Sequence, residues 1–151
     1  MMTFKVSITI NQPVDIVVQA LMKADNFPFW QKDLVKFEVI SGAPGEVGSI
    51  GYLHYSQKGR TYIMEDKLIY CEPGKKYGSQ VSGDVIVAQV ETTLNSVGNA
   101  TEMSVTWSGK GKIFLLKILL PLLRGKMIRQ SETELVTFKR LVETRGSNFS
   151  E

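Results

Sequence analysis

The chain has 151 residues, a length that fits one domain able to bury about two-thirds of its unfolded surface. A hydrophobic fraction of 43% and a charged fraction of 22% are ordinary for a globular protein and exclude a disordered chain. The net charge is +3, and no dense cluster of Lys and Arg is interleaved with aromatic residues, so nucleic acid is not an expected partner.

Three features of the sequence bear on where the protein works. Cys71 is the only cysteine, which excludes an intrachain disulfide and is typical of a reducing compartment. The N-terminal residues lack the long apolar core of a signal peptide and look like a strand. The most apolar run, residues 113–123, has about half of the roughly 20 residues needed to cross a bilayer. We therefore expect a soluble, cytoplasmic protein.

The N-terminal part of the chain predicts one strand and two short helices. Apolar and polar residues alternate over residues 4–10, the pattern of a half-buried strand. Pro13 suits the first turn of a helix, and residues 14–22 place apolar side chains at helical spacing. Asn26 interrupts this helix. A second short helix, rich in aromatic residues, is expected over residues 27–34.

The middle of the chain switches to strand patterns separated by turn signals. Lys58-Gly59 predicts a tight hairpin connection, and Gly98 marks another turn. Strands joined in sequence by short turns predict a mostly antiparallel sheet, with no alternation of strands and crossover helices. The predicted strands cover residues 35–39, 49–57, 60–72, 77–82, 85–94 and 100–109.

The only long helical segment lies in residues 113–145. Its first half is almost wholly apolar, and its second half is amphipathic. Pro121 is unfavourable inside a helix and Gly125 adds flexibility, so we expect residues 113–120 to be irregular or a separate turn and the regular helix to begin near Pro121. One domain is expected over residues 1–145, followed by a short polar tail over residues 146–151.

The start of this segment is also basic. We expect its cations to form a solvated polar face on an apolar helix rather than a site for an anionic partner. The cations are Lys110, Lys112, Lys117, Arg124, Lys126 and Arg129.

The order of elements is strand, helix with a proline near its start, aromatic turn, six strands and one long helix. It resembles the helix-grip fold of the START-like (SRPBCC) superfamily and, within it, the polyketide cyclase/dehydrase group of small bacterial proteins. Three stretches carry the resemblance: ITINQPVDIVVQALMKADNFPFW at residues 8–30, SGAPGEVGSIGYLHY at residues 41–55, and LLPLLRGKMIRQSETELVTFKRLVE at residues 119–143.

The resemblance implies an α+β fold: a curved, seven-stranded antiparallel sheet wrapped around a long C-terminal helix, with two short helices between the first and second strands. It also implies an apolar tunnel between sheet and helix, where relatives bind lipids, sterols, polyketides, plant hormones or quinones. Some relatives catalyse aromatic cyclisation, so the fold alone does not select a function.

The alternation along the strands indicates which side chains face the helix. These side chains form either a solid core or the wall of a cavity, and the resemblance favours the cavity. Methionines suit an adaptable pocket. In the resembled family the region of Phe27 and Trp30 lies near the pocket mouth, where aromatic rings either gate the pocket or anchor the short helix. The predicted ligand-binding residues are Phe27, Trp30, Tyr52, Tyr62, Met64, Leu68, Val90, Met103, Val105, Trp107, Leu116, Leu120, Leu123 and Met127.

No catalytic motif stands on its own, and two residues are left as candidates. Asp66 shares a strand face with Met64 and Leu68, where a lone buried carboxylate would be costly, so we expect a bulge to turn it outward. Buried instead, Asp66 would orient a ligand or act as a general acid or base. His54 is the only histidine, and we expect it on the surface of its strand rather than in the pocket.

Neither a metal nor another cofactor is predicted. A single histidine without HxxxH, CxxC or paired-carboxylate spacing makes no usual metal site. The glycines at positions 42, 45 and 48 match neither a P-loop nor a dinucleotide-binding motif. In the resembled fold the same loop can cover the cavity as a lid.

Three functional hypotheses follow. The first is a binding or carrier protein for an apolar or amphipathic small molecule such as a lipid, polyketide or quinone. The second is an enzyme of the cyclase, aromatase or dehydratase kind, which we favour less. The third is a peripheral-membrane or protein-interaction module that uses residues 112–129. The sequence does not indicate an oligomeric state.

Overall fold

A computed structural model describes all 151 residues as one sheet, a C-terminal helical segment and two short helices between the first two strands. The strands are β1 Met2–Ile10, β2 Leu34–Ser41, β3 Ile50–Gln57, β4 Arg60–Glu72, β5 Lys76–Ser82, β6 Ile86–Val97 and β7 Ala100–Gly111. The helices are α1 Val14–Met22, α2 Phe27–Trp30, α3 Phe114–Leu119 and α4 Arg124–Arg145, with 3-10 turns at Ala24–Asn26 and Leu120–Leu123.

The strands form a single antiparallel sheet in the order β1-β7-β6-β5-β4-β3-β2. Strands β2 to β7 follow one another as neighbours, whereas β1 pairs with β7 from the other end of the chain. The hairpin predicted at Lys58-Gly59 is confirmed: the two residues have φ angles of 50° and 80°, as a tight two-residue turn requires. The α+β helix-grip fold is thereby confirmed.

Two glycines on the concave face give the sheet room to bend around large aromatic rings. The ring of Phe37 lies across Gly51 of the neighbouring strand, and the ring of Trp107 lies across Gly109 of its own strand. A Cβ atom at either glycine would overlap the ring. Glycine at these positions lets an aromatic side chain lie flat on the backbone, which is a common device for curving a sheet.

Helix α4 grips the sheet along one edge only. Its close backbone contacts within the sheet are concentrated on β1. The C-terminal half of the helix buries Leu135, Phe138, Leu141 and Val142 in the core that β1 and α1 share. None of the residues 124–131 in its first half is fully buried. The sheet and the first half of α4 therefore leave a space between them.

The apolar segment, residues 113–123, is separate from the long helix, but the boundary differs from its prediction. Residues 114–119 form the short helix α3, which fits the predicted separate turn, and α4 begins at Arg124 rather than near Pro121. A 3-10 turn over Leu120–Leu123 lies between them. No helix of the protein combines the length and the apolar character needed to cross a membrane.

The second short helix also ends earlier than expected. It stops at Trp30, and β2 already begins at Leu34. The amide of Gln31 closes the last turn by donating to the carbonyl of Phe27 at 3.0 Å. Asp33 then takes a left-handed conformation with φ 65°, which turns the chain into the strand.

The predicted polar tail, residues 146–151, packs into the domain rather than extending from it. Phe149 is fully buried, with its ring 5.7 Å from that of Phe138. Asn26, itself buried, ties this turn to the short helices. Its amide nitrogen donates to the carbonyls of Ala20 at 3.0 Å and Ser147 at 2.8 Å, and its amide oxygen accepts from the Phe149 N–H at 3.0 Å.

Asn26→Ala should destabilise the protein by about 2–4 kcal/mol, because it leaves two carbonyls and one N–H without partners inside the core. Urea unfolding followed by circular dichroism measures the loss. Asn95→Ala, at an exposed position on β6, is the matched control and should change stability by less than about 0.5 kcal/mol. Equal effects of the two variants would show that the Asn26 hydrogen bonds do not hold the C-terminal turn.

Candidate functional site

The space between the concave face of the sheet and the first half of α4 is a cavity of about 470 Å³. It is lined by 42 residues, of which 26 are hydrophobic, so the wall is mainly apolar with a minority of polar groups. Pockets that enclose small organic ligands have this size and composition. Every strand contributes one face to the wall, and α4 contributes Met127, Gln130, Ser131, Glu134 and Leu135.

Most of the residues predicted from strand alternation line this cavity. Phe4 and Trp107 stack in its wall, with their ring centroids 5.6 Å apart. The predicted residues that line it are Phe27, Trp30, Tyr62, Met64, Leu68, Val90, Met103, Val105, Trp107 and Met127. Whether they contact a ligand stays a prediction.

Four residues of the same prediction lie outside the cavity. Tyr52 belongs to the other face of β3, because Gly51, Leu53 and Tyr55 are the residues that face inward. The three leucines of the C-terminal segment lie away from the wall, because the 3-10 turn interrupts the helical spacing on which their prediction relied. Leu116 covers Gly111, Leu120 is buried in the core, and Leu123 is exposed.

His54 also lies on the outer face of β3, as expected for a surface histidine. Its Nε2 atom is 2.9 Å from Oε1 of Glu38 on the neighbouring strand. The side chain does not reach the cavity wall. His54 is therefore not placed to act on a molecule inside the cavity, and any catalytic role for it stays a prediction.

Asp66 is the opposite case. We expected a bulge to turn it outward, but β4 is regular here, and Asp66 pairs with Gly51 and Val81 and lines the cavity. The irregularity comes later, between Leu68 and Tyr70, and it carries Tyr70 to the outer face, where its hydroxyl bonds Glu91. Burial raises the pKa of the Asp66 carboxyl from 3.8 to about 6, and a hydrogen bond with Ser79 offsets part of the rise.

A polar cluster surrounds Tyr55 on the cavity wall. Burial raises the pKa of its phenol, and the negative charges of Glu134, Tyr62 and Asp66 add to the effect. The rings of Tyr55 and Tyr62 stack at 5.0 Å. Tyr55 therefore stays neutral at physiological pH and can donate its O–H.

Glu134 enters this cluster from α4. Burial raises its pKa, and the Lys32 N–H, which donates to its carboxylate at 2.9 Å, offsets part of the rise. The Gln130 amide donates to the same oxygen at 3.4 Å. The cavity thus has carboxyl and hydroxyl groups within a mainly apolar wall.

Three residues that line the cavity were not predicted from the sequence: Phe37, Tyr55 and Glu134. Leu53 is the one aliphatic side chain in the middle of β3, and it would have given the correct face for Tyr55. Glu134 follows Met127 by seven residues and so shares its face of the helix. These signals were present, but each was a single residue.

The rim of the cavity includes the glycine-rich loop between β2 and β3. Gly42 and Gly45 line the cavity and have positive φ angles, and Gly48 has a positive φ angle without reaching the cavity. Met22 lies against Gly45 from α1. On the same side Phe27 packs against Phe37 at 4.7 Å, while Trp30 packs against Phe138 at 4.9 Å. The two aromatic residues therefore line the cavity and also anchor α2.

A search against protein-family models and a search against curated protein sequences both found no match. Solved structures do match. The Zhui aromatase/cyclase from Streptomyces sp. R1128 aligns with a TM-score of 0.73 at 14% identity, over 95% of this chain and 94% of its own. A START superfamily protein from Mycobacterium smegmatis aligns with a TM-score of 0.65 at 12% identity, over 89% of this chain and 98% of its own.

The chain has the START-like helix-grip fold. Ara h 8.0201 shares it as well, with a TM-score of 0.72 at 15% identity over 93% of this chain and 97% of its own. At these identities the START-like structures establish the fold and no more.

Asp66→Asn should change how stability depends on pH. The native carboxyl holds its proton up to about pH 6, whereas the unfolded one loses it near pH 4, so the stability of the natural protein falls as the pH rises between these values. The amide of the variant does not ionise. We therefore expect the free energy of unfolding of the variant, measured relative to that of the natural protein, to be larger at pH 8 than at pH 4 by on the order of 2 kcal/mol.

Urea unfolding at the two pH values measures this difference for the natural protein and the variant. Asp84→Asn, at an exposed position in the turn after β5, is the control and should leave the pH dependence unchanged. A pH profile that Asp66→Asn does not alter would contradict a buried Asp66.

Proposed function

We propose that the protein binds and carries an apolar small molecule with a polar end, held between the concave face of the sheet and helix α4. The observation that supports this most is the cavity itself, about 470 Å³ of space behind a mainly apolar wall. Its volume falls within the range of about 300–1,000 Å³ typical of small-molecule sites. A lipid, polyketide, quinone or similar molecule fits this description.

The chemistry of the wall suggests how such a ligand would be held. Affinity would come from burial of its apolar part, at roughly 25 cal/mol per Å² before the costs of ordering ligand and protein. The cluster around Tyr55, Asp66 and Glu134 would bind the polar end. A hydroxyl or carbonyl group suits it better than a carboxylate, because two buried carboxyl groups repel an anion.

A buried donor near this cavity also favours a ligand with an oxygen. The indole Nε1 of Trp30 is the one buried side-chain nitrogen or oxygen atom without a hydrogen-bond partner. An unpaired N–H inside a protein costs free energy that an acceptor would recover. Since Trp30 lines the cavity, a ligand oxygen is a suitable acceptor.

An enzyme of the cyclase kind is the second candidate, and Asp66 is the observation that favours it. A carboxyl with a pKa of about 6 exchanges a proton readily near neutral pH. Its carboxylate would take a proton from a carbon between two ketones of the substrate, while the neutral Tyr55 phenol would donate a hydrogen bond to the enolate oxygen. The enolate carbon would attack a third ketone of the same chain, and Asp66 would return the proton to the new alkoxide. Loss of water from this alcohol, followed by enolisation of the remaining ring ketones, would give the aromatic product.

The carrier is the preferred proposal because it requires only the cavity. The enzyme also requires that Asp66 and Tyr55 meet the reacting atoms. We further propose that the carrier works in a reducing compartment, the cytoplasm, consistent with its single cysteine.

Val90→Phe should weaken ligand binding about 10-fold or more, because the larger ring occupies cavity volume that the ligand needs. Gln89→Phe is the matched control, since Gln89 is the adjacent residue of the same strand and faces outward. The probe is Nile red, an uncharged apolar dye, titrated by fluorescence. Native mass spectrometry of the purified natural protein and of both variants shows which of them retain a ligand from the cell.

Equal affinity of the two variants for the probe, together with equal retention of ligand, would contradict a carrier that uses this cavity. The enzyme has a separate test. A linear chain of alternating ketones is incubated with the natural protein and with Asp66→Asn, and aromatic product is followed by absorbance. Product from the natural protein alone, with probe binding kept in both, would favour the cyclase over the carrier.

A further inference from the structure

The apolar segment, residues 113–123, exposes an unusual amount of hydrocarbon. Helix α3 has no buried residue, and Phe114 and Leu122 are each 77% exposed. Only Leu120 of the segment is fully buried, while Leu116 covers Gly111. A contiguous apolar surface of this kind marks a site of interaction. Its exposed residues are Ile113, Phe114, Leu115, Ile118, Leu119, Leu122 and Leu123.

The charges within this stretch of the chain are entirely positive. Six cationic residues and no acidic residue lie between Lys110 and Arg129, in a chain whose net charge is only +3. The rest of the protein is therefore net acidic. All six cations are exposed. We expected them to form a solvated face, but they surround exposed apolar side chains, a combination that favours an anionic and apolar partner.

The position of the apolar segment relates it to the cavity. At its start, the Lys112 N–H donates to the Val85 carbonyl at 2.7 Å, and the Lys112 Nζ donates to the Gly83 carbonyl at 2.8 Å. These two carbonyls belong to the turn between β5 and β6. A few residues past its end, Met127 lines the cavity wall.

The turn between β5 and β6 borders a second hollow, whose wall includes Gly83, Val85 and His54. Four side chains line both this hollow and the main cavity: Tyr55, Tyr62, Met64 and Ile86. The Met64 side chain lies against Gly83 of the same turn. The wall shared by the two spaces thus lies beside the start of the apolar segment.

We propose that the apolar segment is a docking surface for an anionic lipid bilayer and that the cavity opens towards the membrane beside Met64, so that the ligand exchanges there. The docking rests on the exposed side chains and their charge. The exchange of ligand rests in addition on the carrier function proposed above. Phe114 and Leu122 enter the interface between headgroups and acyl chains, while Lys117 and Lys126 contact the anionic headgroups.

A bilayer fits this surface better than a second copy of the chain. Two copies that met through it would bring their six cations together, and like charges across an interface are unfavourable. An anionic bilayer instead supplies opposite charge and apolar volume at the same time. The short helix α3 is long enough to lie in the headgroup region without crossing the membrane.

Flotation of the full chain with lipid vesicles tests the docking. Vesicles of phosphatidylcholine alone are compared with vesicles that contain one-third phosphatidylglycerol, at low and at physiological salt. We expect binding to the anionic vesicles, weakened by salt. Phe114→Glu combined with Leu122→Glu should reduce it about 10-fold or more, and Lys117→Gln combined with Lys126→Gln should reduce it less and remove most of the salt dependence.

Matched controls lie elsewhere on the surface. Val97→Glu alters an exposed apolar residue at the end of β6, and Lys75→Gln combined with Arg140→Gln removes two exposed charges away from the segment. These variants should float like the natural protein. Flotation that the segment variants leave unchanged, or that is equal for neutral and anionic vesicles, would overturn the docking surface. If the natural protein is a dimer that does not float, and Phe114→Glu/Leu122→Glu is a monomer, the surface binds a second copy of the chain instead of a membrane.

The test separates docking from ligand binding. Nile red titrated without vesicles reports the cavity through the difference between Val90→Phe and Gln89→Phe, so a protein that shows this difference and does not float keeps the carrier and loses the docking. A protein that floats while Val90→Phe and Gln89→Phe bind the probe equally keeps the docking and loses the carrier. Transfer of a fluorescent long-chain alcohol from anionic vesicles tests the link, and we expect Phe114→Glu/Leu122→Glu to slow it about 10-fold or more. Unchanged transfer would overturn the exchange at the membrane.

Discussion

The packing of α4 against a single edge strand is the constraint on which the rest of this structure depends. Leu135, Phe138 and Val142 close a solid core with β1 and α1, and they fix the helix at that edge. The sheet then curves away from the first half of the helix. Rings such as those of Phe37 and Trp107 lie flat on glycines, so they take up little of the space between sheet and helix. A helix that was buried along its whole length would fill the same space with leucine. The cavity therefore exists because apolar packing ends halfway along α4.

The polar groups inside the cavity follow from the same arrangement. Asp66 and Glu134 have raised pKa values because neither is surrounded by enough water or opposite charge to compensate for burial. A solid core would exclude such carboxyl groups, since each would be left with an unfavourable charge. A cavity tolerates them, and it places them next to Tyr55 where a ligand could reach. Burial of these carboxyl groups lowers the stability of the fold at the positions where the polar end of a ligand would bind.

The sequence predicted the fold well because order and periodicity repeat over many residues. Seven strand patterns and one long helical segment leave few arrangements, and an error of two residues at one end changes none of them. The site depended on single choices of face. Asp66 was predicted to point outward because burying a lone carboxylate is generally costly. Tyr52 was preferred to Tyr55 because both faces of β3 carry aromatic rings. The leucines of residues 116–123 were assigned to the cavity on helical spacing, although Pro121 already indicated a break there, and the 3-10 turn shifts the helical phase.

The pairing of β1 with β7 also determines the order in which the protein can fold. Strands β2 to β7 form by successive hairpins between neighbours, and such local contacts close quickly. Strand β1 can pair only after β7 has formed. The paired residues, from Met2↔Gly109 to Ile10↔Thr101, are about a hundred positions apart in the chain. Until then α4 has no edge to grip, and the concave face of the sheet is open to water with its apolar side chains. An apolar molecule that bound this open face early would occupy the surface that α4 must cover, so binding and the last folding step would compete for it.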